Sequence, residues 1–396
     1  MDPISELLTR AVEAIYPSKD ALEKVLRGGK KLRLYQGFDP TGIQLHIGHM
    51  VGLMKLHQFQ KLGHHVIFLI GDGTGQAGDP SGKLRNRTKY LNNEELRNNA
   101  KDYVMQASRI VNFKGDNPVE ILYNGDWLNK LKLKDLLEIA GHFTLQQLEE
   151  RDMYQERKKR GADINFREFQ YPLLQGYDSV AMKVDLELGG VDQTFNMLAG
   201  RKLVKEMLGK EKFVMTTPLL ADASGKKIGK TESNVIALNA LPNDFYGKIM
   251  NLPDDVIVKC FDLITDVPID EVAKIRGSLK EVANPMEYKK KLAYTLTRML
   301  NNETEAKKAQ ESFEWAFQRR TAPTDVQSVV YKNKNISVLS LVIQSGAASS
   351  NSDAKRLISG GAVEYGGSKL TDANASVTIV NGAVLKVGKH RFIKTI

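Results

Sequence analysis

The chain has 396 residues, 42% of them hydrophobic, one cysteine (Cys260) and a net charge of +10. That length supplies two or three domains with real cores, and no apolar run approaches the ~20 residues that span a bilayer. A single cysteine excludes an intrachain disulfide and fits a reducing cytoplasm. The amino-terminal segment MDPISELLTRAVEAIY mixes acidic and apolar residues; it has neither a signal-peptide apolar core nor the Arg/Ser-rich bias of a transit peptide.

Residues 1–30 read as helical and end at Gly28-Gly29. Leu32 and Leu34 alternate with Arg33, a strand period that continues to Asp39-Pro40. After that turn, Ile47, Met50, Val51, Met54, Leu56, Phe59 and Leu62 hold a helical rhythm until Gly63. Val66 to Ile70 is a short apolar run suited to a parallel strand covered on both faces. Together these predict a βαβ unit whose helix N-terminus points unpaired N–H groups at whatever lies over the first strand, and phosphate is the natural guest. A polar helix is expected from about Asn93, a short strand at Leu122-Tyr123-Asn124, and a charged helical insertion over 127–165. Beyond it come a helix around Tyr171 to Ser179, a strand-like Met182 to Leu186, a glycine turn at Gly189-Gly190, a further helix, and a strand ending near Pro218. The stretch 243–320 reads as helical, punctuated by Pro253, Pro268 and Pro285. The expected domains are 1–232 (parallel sheet with the insertion), 233–320 (helical), a linker over 321–335 and a tail over 336–396. Residues 330–396 hold nine Lys/Arg against three Asp/Glu, so +6 of the net charge sits in a short segment, which favours a nucleic-acid partner.

Two histidines, His46 and His49, lie three apart on the first helical turn and face the same way. Both can donate to phosphate oxygens, and Gly48 between them lets a flat base approach the backbone. A plain pair of half-exposed helix histidines or a metal pair is the alternative, but there is no H-E-x-x-H and only one cysteine, so no metal site is expected. Gly73, Gly75 and Gly78 satisfy G-x-G-x-x-G after a strand, yet Asp79-Pro80-Ser81-Gly82 follows at once, which is turn chemistry. The same stretch fails as a P-loop because Ala77 occupies the first required glycine and Leu84 follows Lys83.

The strand, the Asp-Pro-Thr turn and H-I-G-H resemble the class I aminoacyl-tRNA synthetases, and Tyr35-Gln-Gly-Phe-Asp-Pro-Thr41 resembles the tyrosine-specific family in particular. The loop G-D-P-S-G-K, ending at Lys83, is similar to that family's. So is Lys227-Ile-Gly-Lys230-Thr231, a form of the second class I signature in which Ile228 replaces the usual aromatic or Met. The resemblance runs from Leu32 to nearly the end of the chain, with the motifs in order. It implies a doubly wound, Rossmann-like α/β catalytic domain, a helical anticodon-region domain, and a small α+β RNA-binding tail shared with a ribosomal small-subunit protein. It also implies ATP with Mg²⁺, L-tyrosine and tRNA(Tyr) as partners, and a homodimer to which the apolar helix Leu131 to Ile139 contributes. The competing readings are a tryptophanyl-type relative and a synthetase-derived RNA-binding protein without catalysis.

The resemblance assigns roles residue by residue. Tyr35 and Asp178 face a phenolic hydroxyl, Asp79, Tyr171 and Gln175 hold an ammonium, and Gln193 reaches the substrate carboxylate. Tyr171, Gln175 and Asp178 share one helix face by spacing alone. Asp39, Gly48, Gly190 and Asp192 line the nucleotide site; Thr41, His46, His49, Lys83, Arg87, Lys227, Lys230 and Thr231 act on the phosphates. Gly52 stands where many relatives carry a small hydroxyl residue near the ribose, so a minor ATP contact is absent. In the tail, Lys355, Arg356, Lys369 and Lys389 are candidate phosphate contacts. An unpaired acceptor in the pocket penalises phenylalanine; the tyrosyl family is itself the known case, rejecting it by about 10⁵, a family magnitude and not one worked from this sequence.

Overall fold

The computed structural model describes residues 1–42, 44–80, 90–228, 235–280, 284–317, 328–331, 334–348, 350–388 and 391–396. The chain divides into two compact units, Met1–Ala306 and Lys307–Ile396.

The first unit is built on a six-stranded sheet. In chain order its strands are β1 (Ala14–Tyr16), β2 (Arg33–Phe38), β3 (His65–Ile70), β4 (Glu120–Tyr123), β5 (Leu186–Gly190) and β6 (Phe213–Thr217). Across the sheet the order is β1-β6-β5-β2-β3-β4, all parallel except β1, which runs antiparallel to β6 at the edge. From β2 the chain builds outward through β3 to β4, then returns to the other side of β2 for β5 and continues to β6. The order therefore reverses between β2 and β5, and a crevice opens beyond their carboxyl ends, where ligands of such sheets bind.

Val66 to Ile70 are buried throughout, as an inner parallel strand covered on both faces requires. Helix Ile47–Lys61 returns the chain from β2 to β3 and buries Ile47, Met50, Leu53, Leu56 and Phe59. It stops where Gly63 takes a φ of +76°, a left-handed turn that residues with a Cβ rarely adopt. On the other face, helices Phe166–Met182 and Thr194–Leu208 lie side by side, with Phe169, Leu173, Leu203 and Val204 in a shared core.

Several local expectations shift. Residues 1–30 are not helical throughout: helices Pro3–Leu7 and Lys19–Arg27 flank β1, a three-residue edge strand too short to show a period. The helix expected at Tyr171 to Ser179 extends over Phe166–Met182, Pro172 included, and the strand-like reading of Met182 to Leu186 moves downstream. Gly189 and Gly190 accordingly close β5 instead of forming a turn. Their pairing with Thr216 and Thr217 of β6 outweighs the low strand propensity of glycine.

Helices Pro242–Met250, Ile257–Ile264, Ile269–Lys280 and Pro285–Leu300 complete this unit around buried Cys260, Phe261, Leu292 and Leu296. Arg10 ties the amino-terminal segment to them, donating to the carbonyls of Phe261, Asp262 and Thr265 at 2.8–2.9 Å. Lys55, 1% exposed, donates in turn to the carbonyls of Leu7 and Arg10.

The second unit has its own core, including Val338, Leu341, Val342, Ile358, Val363 and Leu385. Helices Val338–Gln344 and Asn351–Ser359 pack with a five-stranded sheet ordered Ser368–Leu370, Val363–Tyr365, Val384–Val387, Arg391–Thr395, Ser328–Val329. Of the stretch expected as linker, Ser328–Val329 pairs in parallel with Arg391–Thr395 and Tyr331 is buried in the tail's core, while 321–327 and 332–333 lie outside the described residues.

Candidate active site

A cavity of about 460 Å³ occupies the crevice at the β2/β5 reversal. Fourteen residues singled out from the sequence line it: Tyr35, Asp39, Thr41, His46, Gly48, His49, Asp79, Tyr171, Gln175, Asp178, Gly190, Asp192, Gln193 and Lys227. Lys83, Arg87, Lys230 and Thr231 lie outside the described residues.

His46 caps helix Ile47–Lys61. Its Nδ1 accepts from the Gly48 N–H at 3.1 Å, and the His49 Nδ1 accepts from the His46 N–H at 3.0 Å. An accepting Nδ1 leaves the proton of each neutral ring on Nε2, so both rings are Nε2–H donors. The rings lie together, centroids 4.0 Å apart. The chain beyond the second signature pairs with this turn through the backbone. Ile47 N donates to the Ile236 carbonyl and Leu238 N to that of Leu45, each at 3.0 Å, on the far side of residues 229–234. Upstream, Asp222 Oδ1 accepts from the Ser224 hydroxyl and from the N–H groups of Ser224 and Lys226, closing the turn that presents Lys227; the hydroxyl bond leads in holding the Asp222 carboxyl below its ordinary pKa. Lys227 Nζ sits 2.7 Å from Asp192 Oδ2.

At the sheet edge of the cavity, the Asp39 carboxylate accepts from Thr74 Oγ1 at 2.7 Å and from the Tyr171 hydroxyl at 2.9 Å. Gly71 makes room for it, since a Cβ there would lie 1.9 Å from Asp39 Oδ1. Tyr171 thus gives its one proton to Asp39 and keeps its lone pairs to accept from an ammonium. Gln193, expected to reach the substrate carboxylate, donates its Nε2 to Asp79 at 3.0 Å. Gln175 Nε2 donates to Glu187 at 2.9 Å, while its Oε1 is buried and accepts no hydrogen bond from the described residues.

Deeper in the cavity, Tyr35 is 1% exposed and its hydroxyl bonds to Ser179 Oγ at 2.9 Å. Asp178, equally buried, accepts from Trp127 Nε1 at 2.8 Å and from Asn124 Nδ2 at 2.9 Å. Burial pushes the Asp178 carboxyl well above the usual carboxylate range, and the two donors oppose that by favouring the ionised form. Burial also keeps the Tyr35 and Tyr171 hydroxyls protonated.

Comparison with known proteins gives the family. A model of the family "tRNA synthetases class I (W and Y)" matches residues 27–318. The tyrosine–tRNA ligase of Thermotoga maritima is 41% identical over 392 residues, covering 98% of this chain and 96% of its own. The chain belongs to the class I tyrosyl-tRNA synthetase family. The tyrosine–tRNA ligase of Dehalococcoides mccartyi, another member, is 39% identical over 99% of this chain and 98% of its own. Among solved structures, a C-terminally truncated mitochondrial tyrosyl-tRNA synthetase from Aspergillus nidulans superposes with a TM-score of 0.68 at 25% identity, over 80% of this chain and 94% of its own.

Within this tyrosyl-tRNA synthetase framework the cavity also recruits residues that sequence reading passed over. Asn124, seen only as a strand end, bonds Asp178, Thr74 Oγ1 and the Gly73 N–H. Gln36 is another: a Cβ on Gly52 would lie 2.2 Å from its Oε1, so the glutamine amide fills the space a side chain at 52 would take. Nothing in the local pattern marks either residue, because their partners are distant in the chain. Among the described residues no group of His, Cys, Asp and Glu could hold a metal ion, and no helix is long and apolar enough to cross a membrane.

Proposed function

We propose that the chain activates L-tyrosine with MgATP, forming tyrosyl-adenylate and pyrophosphate, and passes the tyrosyl group to the 3′ end of tRNA(Tyr). One observation carries this reading. The buried Tyr35 hydroxyl and the buried Asp178 carboxylate both line the cavity, and so does Gln175, whose Oε1 has no hydrogen-bond partner among the described residues. A phenol hydroxyl satisfies the first pair and an ammonium the second, and tyrosine carries both. Asp79, beside Gln193, adds negative charge for the ammonium. Each Asp178 oxygen already accepts one hydrogen bond and has a second lone pair for the phenol O–H.

The chemistry is attack of the tyrosine carboxylate on the α-phosphate of ATP, with pyrophosphate leaving. The protein supplies no nucleophile, only alignment and charge stabilisation. Gly48, Gly190 and Asp192 lie where the nucleoside would pass, and the Nε2–H groups of His46 and His49 are donors for its phosphates. Asp39 acts through Thr74 and Tyr171, holding the wall between the two substrates. Thr41 and Lys227, with Lys83, Arg87, Lys230 and Thr231 from the sequence, would meet the β,γ-phosphates. In the second unit Lys355, Arg356 and Lys369 are exposed, so they are open to RNA phosphates; Lys389 lies outside the described residues. Helix Leu133–Gly141 leaves Leu133 and Leu137 72% and 63% exposed, which supports a homodimer through this face. A lone, buried Cys260 suits the cytoplasm.

The test is exchange of labelled pyrophosphate into ATP. Tyrosine should support it and tryptophan should not. Exchange with tryptophan, or none with either, would overturn the proposal in favour of the tryptophanyl-type or non-catalytic reading.

A further inference from the structure

Behind Tyr35 lies a buried polar cluster with no direct place in the chemistry above. Tyr35 on β2 is paired in register with Glu187 on β5, so their side chains leave the sheet on the same face. There, Lys212 donates to Ser179 Oγ at 2.7 Å and to Glu187 Oε2. Lys212 and Ser179 are fully buried and Glu187 is 2% exposed. Ser179 Oγ is also 2.9 Å from the Tyr35 hydroxyl and 3.3 Å from Glu187 Oε2. Gly200 leaves the space they occupy: a Cβ there would fall 2.6 Å from Lys212 Nζ and 2.9 Å from Ser179 Oγ. Burial lowers the Lys212 pKa, and the adjoining Glu187 carboxylate opposes that.

Proton counting gives this cluster a direction. An ammonium has three donors and no acceptor, so Ser179 must accept from Lys212. Ser179 then has one proton to give. Its two possible acceptors are Glu187 Oε2 at 3.3 Å, long for an O–H···O bond, and the Tyr35 oxygen at 2.9 Å, so distance favours Tyr35. We propose that Lys212, Glu187 and Ser179 are positioning residues that make Tyr35 a hydrogen-bond donor toward the phenolic oxygen of the bound substrate. The chain of donors runs from Lys212 through Ser179 and Tyr35 to the substrate oxygen, and the substrate's own proton passes its hydrogen bond to Asp178. Every polar atom on the path is satisfied only when the bound ring carries a hydroxyl. Selectivity for tyrosine is therefore set partly by an ion pair that never touches substrate. This rests on the tyrosine pocket proposed above.

The test is kcat/KM for tyrosine and for phenylalanine in pyrophosphate exchange. Ser179→Ala should lower the tyrosine value about tenfold, the worth of roughly one hydrogen bond, and leave the phenylalanine value within about twofold. Ser179→Cys keeps a comparable volume with only a weak S–H donor, so it should narrow the ratio without a packing defect. In a Tyr35→Phe background neither change should alter the ratio further, because the chain is already cut. Equal losses for both amino acids would reduce the cluster to a structural role and overturn the relay, with the pocket intact. If Tyr35→Phe itself leaves the ratio unchanged, the pocket assignment is what fails.

Discussion

Replacing Lys227 by alanine separates binding from chemistry at the nucleotide end of the cavity. Lys227 Nζ lies 2.7 Å from Asp192 Oδ2, with the two side chains 37% and 27% exposed. An ion pair so open to solvent is worth about 0–1 kcal/mol. Moving the ammonium from Asp192 to the β,γ-phosphates of ATP therefore costs less than about fivefold in affinity. Its charge matters most as the departing pyrophosphate gains negative charge, and losing one preorganised group of this kind slows such steps by about 10²-fold. Lys227→Ala should thus lower the rate of tyrosyl-adenylate formation about 10²-fold while KM for ATP shifts less than about fivefold. If KM moves at all it should fall, since Asp192 is released to accept from the ribose. Rapid-quench single turnovers at varied ATP, with tyrosine affinity from equilibrium titration, measure both quantities. A large rise in KM or loss of tyrosine affinity with the chemical step intact would refute the transition-state role.

Three further outcomes follow from named contacts. Asp178→Ala should narrow the preference for tyrosine over phenylalanine by about 10²-fold in kcat/KM, because the phenol loses its charged acceptor; an unchanged ratio would remove Asp178 from the pocket. A chain ending at residue 317 should keep tyrosine-dependent pyrophosphate exchange and largely lose tRNA charging, and its tRNA affinity should fall less steeply with salt than that of the full chain; loss of exchange would show that the second unit is needed for activation. Burial lowers the Lys55 pKa from 10.5 to about 7. The unfolded chain then binds the extra proton between those values, so stability should rise as pH increases from about 7 toward 10.5, and Lys55→Met should flatten that rise in urea unfolding followed by circular dichroism.

Some of this protein was legible without coordinates because its signals are local. The rhythm from Ile47 to Leu62, its stop at Gly63 and the apolar run Val66 to Ile70 specify a βαβ unit through periods that short-range geometry imposes. The H-I-G-H turn and the Tyr171/Gln175/Asp178 face stood out for the same reason, since residue type and spacing carry them, whereas Lys227 stood out only through its resemblance to the second class I signature. Edge strand β1 and the glycine-terminated β5 did not, since each is held by pairing with β6 and not by its own propensity. The state of each side chain was also invisible. That the Tyr171 proton goes to Asp39, a Gln193 N–H to Asp79 and the Lys227 ammonium to Asp192 follows from which groups the sheet reversal brings to about 3 Å. Lys212, Glu187 and Ser179 are the clearest case. In sequence they are an ordinary lysine, glutamate and serine, separated by as many as 33 positions. Only burial beside β2 and β5 turns them into one hydrogen-bonded cluster around an ion pair, because a charge removed from water must find its partners within reach.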